Sequence, residues 1–253
     1  MIALARAELL KLRSTRTALG LFIVVLVVTL VPLTLIMALV PREWLAEDGV
    51  NEFLVAASAL VPLVLLVFGI LGMTNEYRHG TITYSYLVTP RRWQVMVVKL
   101  LVYLLVGMLT MLVAMLLVYL AIRIGSAVRG VDIDATGGST LGDYARQLVV
   151  AGLVTTFGVA LGALVRAQII TVAGTLIWAL FVENIIYVLK PAVGNWLPFV
   201  VFNQVSAAQM SGDGMEALTE SALTRPEAFL VSIAYIAIVS VAAVFISLRR
   251  DVT

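Results

Sequence analysis

An all-α membrane protein with six transmembrane helices is what this sequence predicts, and three observations carry that expectation. Six apolar stretches, residues 18–40, 53–74, 100–122, 147–165, 167–189 and 228–248, fill most of the chain. Each has 19 to 23 residues, enough to cross a hydrocarbon core of about 30 Å as a helix. Together they hold no Lys or Arg and one acidic residue, Glu183. The composition, 62% hydrophobic and 13% charged with a mean hydropathy of +1.06, is far from that of a soluble globular domain. With 253 residues, little chain is left outside the spans, so residues 1–253 are expected to form one membrane domain.

Charge sorts the segments between the spans by side. Segments 1–17, 75–99, 166 and 249–253 hold eleven of the 17 basic residues against three acidic ones, Glu8, Glu76 and Asp251. An even number of spans returns both termini to one side, and Lys and Arg accumulate on the cytoplasmic side. The expectation is a multi-pass protein of the cell inner (cytoplasmic) membrane with both termini cytoplasmic. Only segment 123–146 runs against this, because Arg123, Arg129 and Arg146 would face outward. This sorting accounts for the net charge of +2 without a nucleic-acid partner. The absence of cysteine excludes disulfides and thiol chemistry. The first span exceeds a signal-peptide core and no small-residue cleavage pattern follows it, so it is expected to stay as an anchor.

Residues 2–16 place Ile2, Ala5, Leu9 and Leu12 at helical spacing beside Arg6, Lys11 and Arg13. That pattern predicts an amphipathic helix lying along the membrane surface, its basic residues toward anionic headgroups. The other reading is a basic flank that only orients the first span. Pro32 falls inside that span and is expected to kink it, which neighbouring membrane helices tolerate. Residues 41–52 read as a short acidic connector.

The stretch 75–99 combines both signs of charge, several aromatics, Gly80 and Pro90. Ile82, Tyr84 and Tyr86 alternate as in a strand, but a lone strand has no partner, so a short helix ending before Pro90 is expected. Such a bend is either a docking surface for a partner protein or an inner loop held by aromatic and basic anchors. Residues 123–146 read as a polar outer loop. Asp132, Asp134, Thr136, Gly137 and Asp143 echo a calcium loop, but the last position is Asp rather than a bidentate Glu and Ser139 stands where an apolar residue is needed.

Gly158 and Gly162 permit close helix approach in the fourth span without saying against which helix. Glu183 and Asn184 in the fifth span are candidates for a translocation path. An intramembrane carboxylate is costly unless paired, protonated or facing water. The alternative is a hydrogen bond to a neighbouring helix. Within residues 191–227, Trp196 to Phe202 is too short to span, which predicts a re-entrant or surface-lying segment on the outer face before the last span.

Enzyme machinery is missing from the sequence. One histidine and no cysteine cannot build a His/Cys zinc site, and no metal site is expected. None of the three lysines follows a glycine, so no phosphate-binding loop is present, nor is there a G-x-S-x-G elbow.

Arg6-x-Glu8-x-x-Lys11-x-Arg13 before the first span, then Glu76-Tyr-Arg-His-Gly80-Thr-Ile82 followed by Pro90-Arg-Arg92 and Lys99, resemble the type-2 ATP-binding-cassette (ABC) exporter permeases, particularly small actinobacterial ones. The resemblance implies a non-catalytic membrane subunit and a coupling segment at Glu76, Tyr77, Arg78, His79, Gly80, Thr81 and Ile82. It implies an interfacial helix contributing Arg6, Glu8, Lys11 and Arg13, and an outer re-entrant element at 191–209. It also implies two copies of a cytosolic ATPase partner that binds ATP and Mg, a second permease chain as homo- or heterodimer, and no cofactor on this chain. The likeness implies export, and the apolar spans suggest a hydrophobic or amphipathic cargo such as a drug, peptide or lipid. The rivals are a proton-coupled secondary transporter using Glu183 and a membrane assembly factor that transports nothing.

Overall fold

The computed structural model describes residues 2–39, 41, 60–82, 92–130, 141–206 and 222–249, and these are helical with no strand among them. The helices are α1 (Ile2–Ser14), α2 (Arg16–Leu39), α3 (Leu60–Arg78), α4 (Arg92–Arg129) and α5 (Leu141–Val165). Next comes α6 (Gln168–Leu189), which widens into a π turn at Trp178–Val182. The single turn α7 (Pro191–Gly194), the short α8 (Pro198–Ser206) and the last helix α9 (Arg225–Arg249) complete the order. Six of them, α2 to α6 and α9, are long and apolar enough to cross a membrane. The protein is an all-α polytopic membrane protein. Pro32 lies within α2, which continues past it.

The bundle is organised around α5. Its span is 72% buried, whereas the other spans are 22–44% buried, so α5 is the central helix and the others present a face outward. Small residues make this possible. A Cβ on Gly158 would strike the Leu66 carbonyl, and one on Gly162 would sit 2.8 Å from the Ile70 carbonyl, so both glycines face α3. Gly69 on α3 answers them, lying against the Thr155 carbonyl. The hydroxyls of Thr155 and Thr156 donate to the Ala151 and Gly152 carbonyls of their own helix (2.6 and 2.7 Å), so these buried polar groups need no external partner.

Two stretches read as connecting segments are helical at both of their described ends. α4 runs on through Arg129 and α5 begins at Leu141, so 123–129 and 141–146 belong to helices and not to the outer loop read there, while 131–140 lie outside the described residues. Ile122 is buried, and a Cβ added to Gly125 would come within 3.3 Å of the Met37 sulfur of α2, so the extra turns of α4 have a tertiary support invisible to hydropathy. Its 38 residues make a helix of about 57 Å, well beyond one hydrocarbon core. Four of the five candidate calcium residues lie outside the described residues, while Asp143 belongs to α5. The short helix expected to end before Pro90 cannot be placed, since 83–91 also lie outside the described residues. On either side of it, α3 continues to Arg78 and α4 already starts at Arg92, so Glu76 and Lys99 are helical residues.

Following α6, the chain turns back into the bundle. α8 has nine residues, roughly 14 Å, too short to cross. Val201, Phe202 and Val205 are buried against α5 and α9, and Phe199 and Phe202 flank Phe157 at 5.8 and 5.3 Å.

Candidate functional site

Where α1 crosses the ends of α3 and α4, four charged side chains meet. Lys99 is completely buried, and its ammonium donates to Glu8 Oε2 (2.7 Å), to Glu76 Oε1 (2.9 Å) and to the Gly72 carbonyl (3.4 Å). All three of its protons are thereby used. Lys11 donates to Glu8 Oε1 and to Glu76 Oε1, both at 2.9 Å. Two carboxylates and two ammoniums give a cluster of zero net charge, the condition for tolerating ions away from water. Glu76 Oε2 is buried without a partner, since both lysines converge on the other oxygen.

Local sequence explains the geometry. Lys99 and Tyr103 are one turn apart on α4, so the Tyr103 ring covers the ammonium at 5.6 Å and packs in turn, tilted by 40°, on Phe68 at 5.4 Å. Gly72 has no side chain to obstruct Tyr103, whose hydroxyl occupies the space a Cβ would take. Glu8 and Lys11 are three apart and share a face of α1. Burial alone would push the Glu8 carboxyl up. The charge and hydrogen bond of Lys99, with those of Lys11, outweigh it and hold Glu8 below the usual carboxylate range. Burial pulls Lys11 down in the same way, and Glu76 and Glu8 outweigh it, leaving the ammonium above its ordinary value.

This arrangement offers no nucleophile or proton relay, but it joins three helices. Glu76 stands three residues before His79 and Lys99 stands seven after Arg92, so α1 is tied to both flanks of the segment between α3 and α4. The other predicted coupling residues divide by exposure. Tyr77 holds the Arg166 guanidinium over its ring (5.1 Å), and Arg78 donates to Gln168 Oε1 (3.1 Å). Both contacts bind the end of α3 to the start of α6. His79, Gly80 and Thr81 form an exposed turn, with Gly80 at a φ of +66° that side chains resist, and Ile82 is buried against Met96 and Tyr103. Arg6 and Arg13 are exposed on α1. Sequence gives Lys99 a place on the basic side and in the family resemblance, but no structural role. The available signal was a single lysine followed by an uninterrupted apolar run with an aromatic one turn on.

Glu183 sits in a second polar site at the α6–α8 hairpin. It is 1% exposed, accepts the Trp178 indole at Oε1 (2.6 Å), and accepts the Phe199 and Val200 amides at Oε2 (2.9 and 3.1 Å). Those amides are first-turn donors of α8 with no intrahelical acceptor, so the carboxylate caps α8 from outside. Residues five apart on an α-helix point about 140° from each other, and the π turn brings Trp178 and Glu183 onto one face. Asn184, exposed beside it, donates to the Ala179 and Leu180 carbonyls of that turn (3.1 and 3.0 Å). Tyr235 of α9 donates to the Trp196 carbonyl (2.6 Å) and holds the hairpin from the other side.

A family model described as ABC-2 family transporter protein matches residues 4–182, from α1 through the π turn of α6. The match includes the whole four-residue ion cluster and stops one residue before Glu183. No curated protein matched the chain.

Proposed function

The chain belongs to the ABC-2 transporter family, whose members are the membrane components of ABC transporters, and from that premise we propose that it is the permease of an ATP-driven exporter. Two copies, or one copy with a related chain, pair in the membrane, and two cytosolic ATPase subunits bind ATP and Mg and drive them. Residues 1–253 act as one permease domain with both termini cytoplasmic.

One observation carries the coupling part of the reading. The segment between α3 and α4 is the place where an exposed polar turn, His79 to Thr81, is flanked by a buried ionic cross-link to α1. A push on that turn by an ATPase reaches α3 through Glu76, α4 through Lys99 and α1 through Glu8. Coupling requires elements that move as a body, and a cluster whose separation leaves charges unpaired is costly to pull apart. Arg78 extends the same surface to α6 through Gln168. Cargo is hydrophobic or amphipathic (a drug, peptide or lipid), in keeping with outward faces that are almost wholly apolar. Glu183 serves here as the anchor of the outer hairpin, and Asn184 is the polar group that α6 offers to a passing substrate.

Export from cells co-expressing the chain and its ATPase is expected to be vanadate-sensitive. The exposed variants Arg78→Ala and His79→Ala should leave the complex assembled while lowering transport per ATP hydrolysed. Purification of the native complex without any ATPase, or transport by the chain alone under a proton gradient, would overturn the proposal.

A further inference from the structure

A cleft of about 250 Å³ opens between α1, α2, α3 and α4. Its wall is apolar, formed by Leu21, Val25, Leu65, Phe68 and Val106, with Arg13 on its rim. Val25 and Leu65 are each 2% exposed and form the floor, whereas Leu19 and Phe22 on the lip are 63% and 36% exposed, so the cleft is open sideways. The Thr110 hydroxyl at the far end already donates to the Val106 carbonyl (2.8 Å). Its one proton is therefore taken, and a guest with no donor of its own finds no polar partner in the interior. Arg13 is exposed and makes no hydrogen bond or ion pair with any described residue.

Depth selects the guest. Lys99 is level with α1, to which it is ion-paired, and Thr110 lies eleven residues further along α4. That is about 16 Å of helix, close to half of a hydrocarbon core of about 30 Å. A cation at the surface above an apolar slot one leaflet deep matches a lipid with an anionic headgroup and one acyl chain. We infer that this cleft binds an anionic phospholipid of the leaflet on which α1 lies, its phosphate on Arg13 and one chain between α2 and α4. The lipid is a wedge beside the ion cluster, holding the elbow between α1 and α2 at Thr15. This inference does not depend on ATP-driven export, and its readout needs no ATPase.

The test is native mass spectrometry of the purified chain released from micelles doped with phosphatidylglycerol or phosphatidylcholine. One phosphatidylglycerol should be retained over phosphatidylcholine by about fivefold, the preference one surface arginine supplies. Arg13→Gln should abolish the preference while keeping chain binding, and Val106→Phe, which fills the slot, should abolish retention. Inorganic phosphate at millimolar concentration should not displace the lipid, since a free anion lacks the chain. Equal retention of both lipids, displacement by phosphate, or undiminished binding in Val106→Phe would each overturn the inference. Should Val106→Phe fail to fold, phosphatidylglycerol with a photoreactive group on its chain labels Phe68 or Val106 in the unmodified protein, and labelling confined to other helices overturns it.

Discussion

Glu8, near the start of the family-matched region, and Glu183, one residue past its end, are both buried carboxylates, and they are stabilised by different means. Glu8 meets two ammoniums contributed by α1 and α4, whereas Glu183 meets three neutral N–H donors drawn from α6 and the start of α8. In the first case opposite charges offset the cost of leaving water, and the partners come from helices far apart in sequence. In the second, an indole and a helix N-terminus supply partial charges, all from residues 178–200. The ion cluster thus joins separate parts of the bundle, and the Glu183 site shapes one hairpin. The difference teaches that the cost of disruption depends on whether a full charge is stranded or only a hydrogen bond is lost.

The most severe test of that contrast is Lys99→Met. It removes the buried cation and leaves Glu8 and Glu76 facing each other with only Lys11 between them, and the expected loss is about 3–5 kcal/mol in unfolding from mixed micelles. Adding Glu8→Gln to Lys99→Met should recover part of that loss, because one stranded charge is then gone. Next in size is Glu183→Ala, which deprives three donors of their acceptor and should cost about 1–3 kcal/mol. Its signature is faster amide exchange at Phe199 and Val200 with the α1–α3–α4 junction unaffected. A cost for Glu183→Ala equal to that of Lys99→Met would break the comparison.

Lys11→Met should cost less than about 1 kcal/mol, since its side chain is 41% exposed and water screens the charge. The mildest perturbation is pH. Glu8 is held below its ordinary value, so its contribution is full above about 4.3 and is lost as pH falls through the lower folded value. Lys11 is held above its ordinary value, so its contribution is full below about 10.4 and fades as pH rises through the higher folded value. Protection of α1 from proteolysis should therefore be flat between those limits and decline outside them. Steady loss of protection across the neutral range would show that other groups hold α1.

Much of the architecture was legible because hydrophobic length is a strong signal. The predicted spans 147–165 and 167–189 agree with the membrane-crossing stretches Tyr144–Val165 of α5 and Gln168–Leu189 of α6 to within three residues at their ends. The third span was underestimated on both sides, since hydropathy sees the lipid-facing core and not the polar turns by which a helix extends beyond it. At the candidate site, Glu8, Lys11 and Glu76 were singled out individually, while their meeting on Lys99 was not. Pairing across 65 and 91 residues has no local pattern to betray it. Gly158 and Gly162 announced close packing, but the partner helix α3 became visible only with the fold.

Six apolar runs, a one-sided charge distribution and the absence of catalytic motifs follow from residue types alone, because transfer from water to lipid is a property each segment has by itself. Which charges end up shut away together, which helix stands at the centre, and that Glu183 caps α8 were decided by tertiary structure. Those outcomes depend on distances between segments, and hydrogen bonds and ion pairs fall off within a few ångströms, a scale on which sequence separation carries no information.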